Sequence, residues 1–409
     1  MIPARFIWAD LRRLWVGSTV VVLLIASATG LGVAVNLQER ALRLGSARAA
    51  EGFDLVIGAA GSETQLVLSA VFLQLAPLPL MPGSILQKLS ADPKVEMAAP
   101  VGFGDSFDGM PIVGTSAAFI DSRGHGKLTE GRIFRQISEA VVGAKVKLSI
   151  GDEIKPLHGL PDEGGHTHGE LAYAIVGRMA ETGTPWDKAI LVPIEGVWRV
   201  HHLVDGHDDR EEHEPEPASM TSIRIGPPWN NPPGVPAIIV KAKTIADAYR
   251  LRAEYRRDAT LGVFPAEVLT RLFATLGDVR SVLAAIAMTT QALVAAAVIL
   301  VCTVHLSQRR KQLAVLRALG APRRAVFGLV WVEILILVGL GVALGVGLGY
   351  AGARIFSGWL SATSGITGPI ALNLEDLTLV AVLLLIAAVI ATIPAAMAYR
   401  QPTSIALRS

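Results

Sequence analysis

Four apolar stretches, each about as long as a helix that crosses a bilayer, decide what this chain can fold into. They run from about Leu14 to Asn36, Ser281 to Val304, Ala325 to Ala353 and Leu377 to Ala396, and about 20 apolar residues of helix suffice to span the hydrocarbon. A removable secretory signal competes for the first stretch. Its apolar core is longer than the ~7–15 residues such signals use, and no A-x-A site follows, so it is expected to stay as a membrane helix. With 51% hydrophobic residues, 18% charged residues and a mean hydropathy of +0.47, the composition excludes an ordinary soluble protein of 409 residues.

Between the second and third stretches lies Ser307 to Val326, SQRRKQLAVLRALGAPRRAV. Six basic residues fall here (Arg309, Arg310, Lys311, Arg317, Arg323 and Arg324), and short loops this basic stay on the cytoplasmic side. Leu313, Leu316 and Leu319 recur at about one helical turn, Gly320 supplies a helix stop and Pro322 prevents continuation. The segment reads as a short amphipathic helix on the cytoplasmic face, and an even number of spans then puts both termini inside.

From Leu37 to Arg280 the sequence is mixed in charge, rich in Gly and Pro, and lacks a stretch long and apolar enough to span a bilayer. It is expected to form one extracytoplasmic domain. Gln65 to Met81, apolar but broken by Gln74, Pro77 and Pro79, reads as a buried or membrane-grazing hairpin, the buried form preferred. Short β-rich runs bounded by Gly or Pro predict strands at Asp54 to Ile57, Glu139 to Val142, Ala172 to Val176, Ala189 to Val192, Ser222 to Ile225 and Ala237 to Val240. Thr244 to Arg256 reads as a helix capped by Thr244, and Leu269, Leu272, Phe273 and Leu276 mark an amphipathic stalk helix.

The predicted fold class is thus an α-helical membrane protein with four transmembrane helices plus a large α+β extracytoplasmic domain. Residues 1–36 hold the cytoplasmic N-terminus and first span, 37–280 the outside domain with its stalk, 281–304 the second span and 305–324 the cytoplasmic loop. The third span covers 325–353, a short outside loop 354–376, the fourth span 377–396 and the cytoplasmic tail 397–409. On the third helix Gly341, Gly345 and Gly349 lie four apart, with Ala353 next in the series, a small-residue face along which another helix can approach closely. Packing within the chain and packing against another subunit both satisfy it. Glu333, near the cytoplasmic end of that helix, suits snorkelling or pairing with a loop arginine better than a proton relay.

The run RRKQLAVLRALGAPRRAV resembles the cytoplasmic segment of permeases of the MacB, LolC/LolE and FtsX type, and the ending PAAMAYRQPTSIALRS resembles that family's C-terminal pattern. EGRIF at Glu130 to Phe134, AVVGAKVKLSIGDEI at Ala140 to Ile154 and GTPWDKAILVP at Gly183 to Pro193 are similar to segments of its periplasmic domain. The resemblance implies a stand-alone permease subunit in a bacterial inner membrane, paired with an identical or different second permease. Arg309, Arg310, Leu313, Leu316, Arg317, Leu319 and Gly320 would dock onto a cytoplasmic P-loop ATPase. The family uses such motion to extract or export substrates, or, as a mechanical signaller, to control a periplasmic hydrolase; a periplasmic protein or lipoprotein is the implied outside partner. ATP belongs to the partner subunit, because no G-x-x-x-x-G-K-[ST] occurs here; GHGKLT from Gly124 lacks the spacing.

The chemistry of the outside domain is carried by histidine. His158, His166 and His168 lie with Asp162, Glu163 and Glu170, and His201, His202, His207 and His213 among six acidic residues between Asp205 and Glu214. Imidazole nitrogen and carboxylate oxygen are the ligands zinc takes when cysteine is absent, and the lone Cys302 lies in an apolar run. The spacing is loose and HExxH is absent, so these histidines are candidates for zinc capture, zinc sensing or zinc-linked transport rather than for a catalytic centre, with solvated polar loops the plainer reading. There is no G-x-S-x-G, and Ser106 in GDSFDG has no evident base; the chain is not expected to be an enzyme by itself. A net charge of +2, with the basic residues clustered where topology wants them, leaves no footprint for nucleic acid.

Overall fold

The computed structural model describes residues 12–13, 15–74, 76–122, 128–158, 166–167, 171–201, 203, 224–257, 259–275 and 320–400, with isolated helical positions between 285 and 299. The described residues divide into a helical unit, drawn from Met1–Ala41, Leu276–Trp359 and Pro369–Ser409, and a sheet unit, drawn from Leu42–Thr275 and Leu360–Gly368.

No glycine or proline interrupts the sequence between Leu31 and Gly52 except Gly32 and Gly45, and the first helix, α1 (Trp15–Glu51), runs unbroken from the apolar stretch into the polar residues beyond it. The boundary drawn at residues 36 and 37 therefore falls inside a helix. The last two helices of the helical unit are α8 (Leu374–Ile390) and α9 (Thr392–Arg400), and the longest is α7 (Arg323–Ser364). That helix begins after Pro322, preceded by Gly320 at φ +96°, and ends against Gly365 at φ +75°. Left-handed glycines are the usual device for stopping a helix. The helix thus runs on past residue 353, where the third span was expected to end. Among the described residues, Trp15–Glu51, Arg323–Ser364 and Leu374–Ala396 are long and apolar enough to cross a membrane; the expected second span, 281–304, lies outside them save for its isolated positions. Val21 and Ile25 of α1, Val338 and Val342 of α7 and Ala391 and Ala395 near α9 share one buried cluster, and the Trp331 indole donates to the Ala388 carbonyl at 3.1 Å.

The sheet unit is built on β1 (Leu55–Ala59), β2 (Val95–Phe107), β3 (Met110–Thr115), β4 (Leu128–Gly131), β5 (Glu139–Val142), β6 (Glu153–Ile154), β7 (Leu157–His158), β8 (His166–Thr167), β9 (Tyr173–Met179), β10 (Ile190–Pro193), β11 (Ala237–Ala242) and β12 (Thr260–Val263). Their order is β12-β1-β11-β2-β3-β10-β5-β9-β4, with β6 on β9 and the β7–β8 pair attached to β2. Most pairs are antiparallel; β10 with β3 and β5 with β9 are parallel. Period-two alternation assigns each strand's side chains to two cores. Leu55, Ile57, Ile238 and Val240 enter one, Val56, Ala237 and Ile239 the other.

Helices cover both faces. On the first lie α3 (Ser84–Ala91) through Leu86 and Leu89, α5 (Ile194–Val200) through Val197 and Trp198, and α6 (Ile245–Glu254) through Leu251. On the second lie α2 (Glu63–Ala70), α4 (Ala117–Asp121), the C-terminal end of α1 through Ala49 and Ala50, and the helical run 265–275 through Val268 and Leu269. The cap expected at Thr244 is present, its hydroxyl accepting from Asp247 N at 3.1 Å. The first part of the expected 65–81 hairpin, residues 65–70, is instead helical: Ser62 caps α2, which buries Leu66, Val67 and Ala70, and the described residues beyond it are irregular as far as the bridge between Met81 and Val235. Of the strand expected at 222–225, positions 224 and 225 are irregular and the other two lie outside the described residues.

Candidate functional site

The glycine series of α7 faces α1 of the same chain. A methyl group placed on Gly341 would lie 2.7 Å from Ile25 Cβ, one on Gly345 2.7 Å from the Ala26 carbonyl oxygen, and one on Gly349 2.5 Å from the Gly30 carbonyl oxygen. Gly339, Gly347 and Gly352, off this stripe, have nothing within 4 Å. The two helices thus meet backbone to backbone, which only glycine permits. Further along α1, Arg40 holds Asp376 of α8 in a two-pronged ion pair at 2.9 and 3.0 Å, and its side chain also donates to Ala371 O at 3.3 Å. Asp376 is 8% exposed and also accepts from Asn373 N, closing the first turn of α8. A charge this buried requires such a partner. Glu333 is buried in α7.

At the opposite end of α7, Arg324, Phe327, Ala396 and Tyr399 line an open cleft of about 330 Å3. Of the expected docking residues, Gly320 is described, in the left-handed conformation; Arg309, Arg310, Leu313, Leu316, Arg317 and Leu319 lie outside the described residues.

In the sheet unit two of the three segments noted in the sequence, 130–134 and 183–193, build hydrogen-bonded corners. Arg132 binds the Glu139 carboxylate through both guanidinium nitrogens, at 2.7 and 2.5 Å, and Arg135 N donates to the same carboxylate at 2.7 Å. The Arg132 hydrogen bonds hold the Glu139 carboxyl below the usual glutamate range, against the opposing effect of burial and with help from Arg135 N. In the second corner Asp187, 1% exposed, accepts from Thr182 N, Thr182 Oγ1 and Gly183 N at 2.7–2.8 Å. Trp186 donates to Val71 O at 3.0 Å and packs 4.7 Å from Phe119.

This corner receives the segment that follows α7. Thr367 donates to Gly183 O from both its amide and its hydroxyl, each at 3.1 Å. The Lys188 ammonium donates to Ala362 O, and burial, then the Lys145 charge, lowers its pKa. A methyl on Gly365 would sit 2.8 Å from Pro185 Cα, and one on Gly45 of α1 2.8 Å from Ile366. The ends of two long helices and the Gly183 turn are therefore mutually locked.

Of the candidate metal residues, His158 and His166 occupy strands β7 and β8, paired directly opposite each other. His201 caps α5, its Nε2 3.6 Å from the Asp105 Oδ2; the facing carboxylate raises the His201 pKa above the usual value, burial opposing it. His168, His202, His207 and His213 lie outside the described residues. Among the described residues no group of three or more His, Cys, Asp or Glu side chains is gathered as for a metal. Ser106 lies in β2 at 1% exposure, ahead of a tight turn formed by Asp108 and Gly109, both at positive φ.

Sequence reasoning missed Arg40, Asp376, Asp187 and Asp105. The first pair had a signal: Asn373 with Asp376 three residues on is a capping pattern, and Arg40 follows directly on an apolar helix. Asp105, in a strand crossing both cores, had none.

Residues 284–403 match the family model described as FtsX-like permease C-terminal. No curated protein matches the sequence. Among solved structures, the periplasmic region of MacB from Actinobacillus actinomycetemcomitans aligns at 11% identity and a TM-score of 0.34, over 55% of this chain and 94% of that one. The extracellular domain of the noncanonic ABC-type transporter YknZ from Gram-positive bacteria aligns at 11% identity and a TM-score of 0.29, over 51% of this chain and 98% of that one.

Proposed function

We propose that the chain is an FtsX-like permease, the reading that the family match over residues 284–403 supports, and that it couples ATP hydrolysis in a separate cytoplasmic subunit to movement of its sheet unit outside the membrane. The observation that carries the proposal is the place of that match, which takes in the basic segment 307–326 together with the apolar stretches on either side of it. Both termini lie in the cytoplasm of a bacterial cell, and the membrane is the inner one.

In this reading Leu313, Leu316 and Leu319 pack into the ATPase while Arg309, Arg310 and Arg317 pair with its acidic groups, and Gly320 turns the chain back into α7. A second permease copy completes the assembly, and the moving sheet unit extracts or exports a substrate. The continuity of α1 and α7 as single helices supports transmission by rigid elements, because a packed helix shifts as a body rather than deforming along its length.

The test is reconstitution of the full chain with the ATPase that co-purifies with it in mild detergent. Leu313→Asp with Leu316→Asp is expected to abolish stimulation of ATP hydrolysis while the chain still inserts and elutes as the parent does. Undiminished stimulation in the double variant refutes the docking role, and failure of any P-loop ATPase to co-purify refutes the coupling reading.

A further inference from the structure

The first turn of α7 carries the wrong charge for its place. Arg323 and Arg324 open the helix and no acidic residue accompanies them, although the N-terminal end of a helix dipole favours negative charge. In α8 the usual arrangement is kept, with Glu375 and Asp376 in the first turn. Both arginines are exposed and, among the described residues, neither forms an ion pair. The neighbouring sequence offers no carboxylate either, because 279–332 and 377–409 contain no Asp or Glu. Glu333 is buried further along α7, about 13 Å from Arg324 at the rise of a helix. A preference for basic residues on one side of a membrane explains the arginines, but it does not supply the anion that balances them.

Arg324 also lines the open cleft of about 330 Å3, with Phe327 one turn on and Ala396 and Tyr399 of α9 facing them. That volume lies in the ~300–1,000 Å3 range of sites for small ligands. One guanidinium and one phenol stand over a lining that is otherwise apolar. A guanidinium matches the oxygens of a phosphate with two parallel donors, and a phenol hydroxyl donates a further hydrogen bond. The apolar lining continues outwards from the cleft. Leu385, Val389 and Ile393 are exposed and recur at helical spacing on the face that carries Ala396, whereas Leu383, Leu384 and Ala387 turn into the buried cluster. Ala391, between α8 and α9, is itself in the right-handed helical region, so this face carries on across the junction. Arg323–Ser364 and Leu374–Ala396 are both long and apolar enough to cross a membrane. Tyrosine and arginine at the ends of such helices sit at the level of the headgroups.

We propose that this cleft binds one anionic phospholipid, its phosphate between Arg324 and Tyr399 and an acyl chain along Leu385, Val389 and Ile393. A free phosphate satisfies the arginine but leaves the apolar floor and the exposed stripe uncovered; a phospholipid satisfies both. Basic pockets between membrane helices are a recurrent form of lipid headgroup site. The site uses none of the docking residues between Arg309 and Gly320, and it is read without ATP or a partner subunit.

The test is native mass spectrometry of the full chain in detergent, titrated with phosphatidylglycerol and, for reference, with zwitterionic phosphatidylcholine. One phosphatidylglycerol per chain is expected to be retained in preference. A basic residue near a membrane surface contributes about fivefold to the affinity for anionic lipid. Arg324→Gln, at an exposed position that leaves folding intact, should therefore weaken phosphatidylglycerol about fivefold and leave phosphatidylcholine unchanged. Arg354→Gln removes the same charge elsewhere on α7, where the guanidinium lies 5.9 Å over the Tyr350 ring, and should bind as the parent does. Ala396→Phe fills the cleft without changing its charge and should also weaken phosphatidylglycerol. Equal binding of the two lipids, equal loss in Arg324→Gln and Arg354→Gln, or undiminished binding in Ala396→Phe overturns the proposal. So does full displacement of phosphatidylglycerol by inorganic phosphate, which marks a site for free anions. If Arg324→Gln keeps its lipid and loses a co-purifying ATPase instead, the arginine serves protein docking and the lipid site is refuted.

Discussion

Two glycines of α7, two residues apart, should respond to the same substitution with opposite sign. At Gly345 an added methyl meets the Ala26 carbonyl oxygen at 2.7 Å and Thr29 Cβ at 2.8 Å, and neither backbone nor a β-branched Cβ can move aside without shifting α1. Overpacking of this kind costs about 1–3 kcal/mol. At Gly347 nothing lies within 4 Å, so alanine there only removes the excess freedom of a helical glycine, a gain of about 0.5–1 kcal/mol. The freedom gained by replacing a helical glycine is common to both positions and cancels, so overpacking alone separates Gly345→Ala from Gly347→Ala, by about 1–3 kcal/mol. The assay is thermal unfolding of the full chain in one detergent, followed by loss of the monodisperse peak on size exclusion. If Gly345→Ala is as stable as Gly347→Ala, α1 does not occupy the glycine face. If Gly345→Ala dissociates an oligomer without lowering stability, the stripe serves another subunit and the packing argument fails.

Two more predictions follow from buried charge. Arg40→Leu leaves Asp376 buried without its main partner and should destabilise the helical unit by about 3–5 kcal/mol, whereas Arg40→Leu with Asp376→Leu should recover much of that loss; equal damage from the single and the double variant in the same detergent melt would contradict an ion pair that matters only as a pair. Because Glu139 has its carboxyl pKa lowered in the folded state, its contribution is full above the usual glutamate range and fades as pH falls through the depressed folded value. Glu139→Gln should therefore cost about 1–2 kcal/mol at neutral pH and flatten the acid limb of a stability–pH profile; an acid limb unchanged from the parent would show that the Arg132 pair contributes nothing.

What the sequence disclosed depended on whether the physical signal was local. Apolar runs are local, and the first, third and fourth were legible; their ends were not, because hydropathy falls at Asn36 while helix-forming residues continue to Glu51. Half-buried strands alternate visibly, as at Ala237 to Val240. The longest strand, β2, was missed because VEMAAPVGFGDSF carries a proline, two glycines and no clean alternation. Pro100 is tolerated inside it opposite Ile238, against the usual confinement of strand proline to sheet edges. The small-residue stripe was visible as spacing, but its occupant was not, since α1 lies some 300 residues earlier in the chain. His158 was noticed for its composition alone; the register that puts it beside Asp105 exists only once β7 pairs with β2.

The packing of the sheet unit bears directly on how motion could enter it. Ala49 and Ala50 of α1 lie in the same core as Phe53, Phe119 and Trp186, and Ile366, just beyond α7, packs against that core. Trp186 and Pro185 belong to the turn whose Gly183 carbonyl takes both Thr367 donors, and the Asp187 carboxylate fixes that turn from inside. A displacement of either helix end would have to drag this aromatic cluster or break its hydrogen bonds, each worth about 0.5–1.5 kcal/mol and more where the carboxylate is involved. Close-packed cores transmit strain rather than absorbing it, so the cheaper response is for the two helix ends and the Gly183 turn to move together. The strand that leaves this turn, β10, pairs with both β3 and β5 at the centre of the sheet.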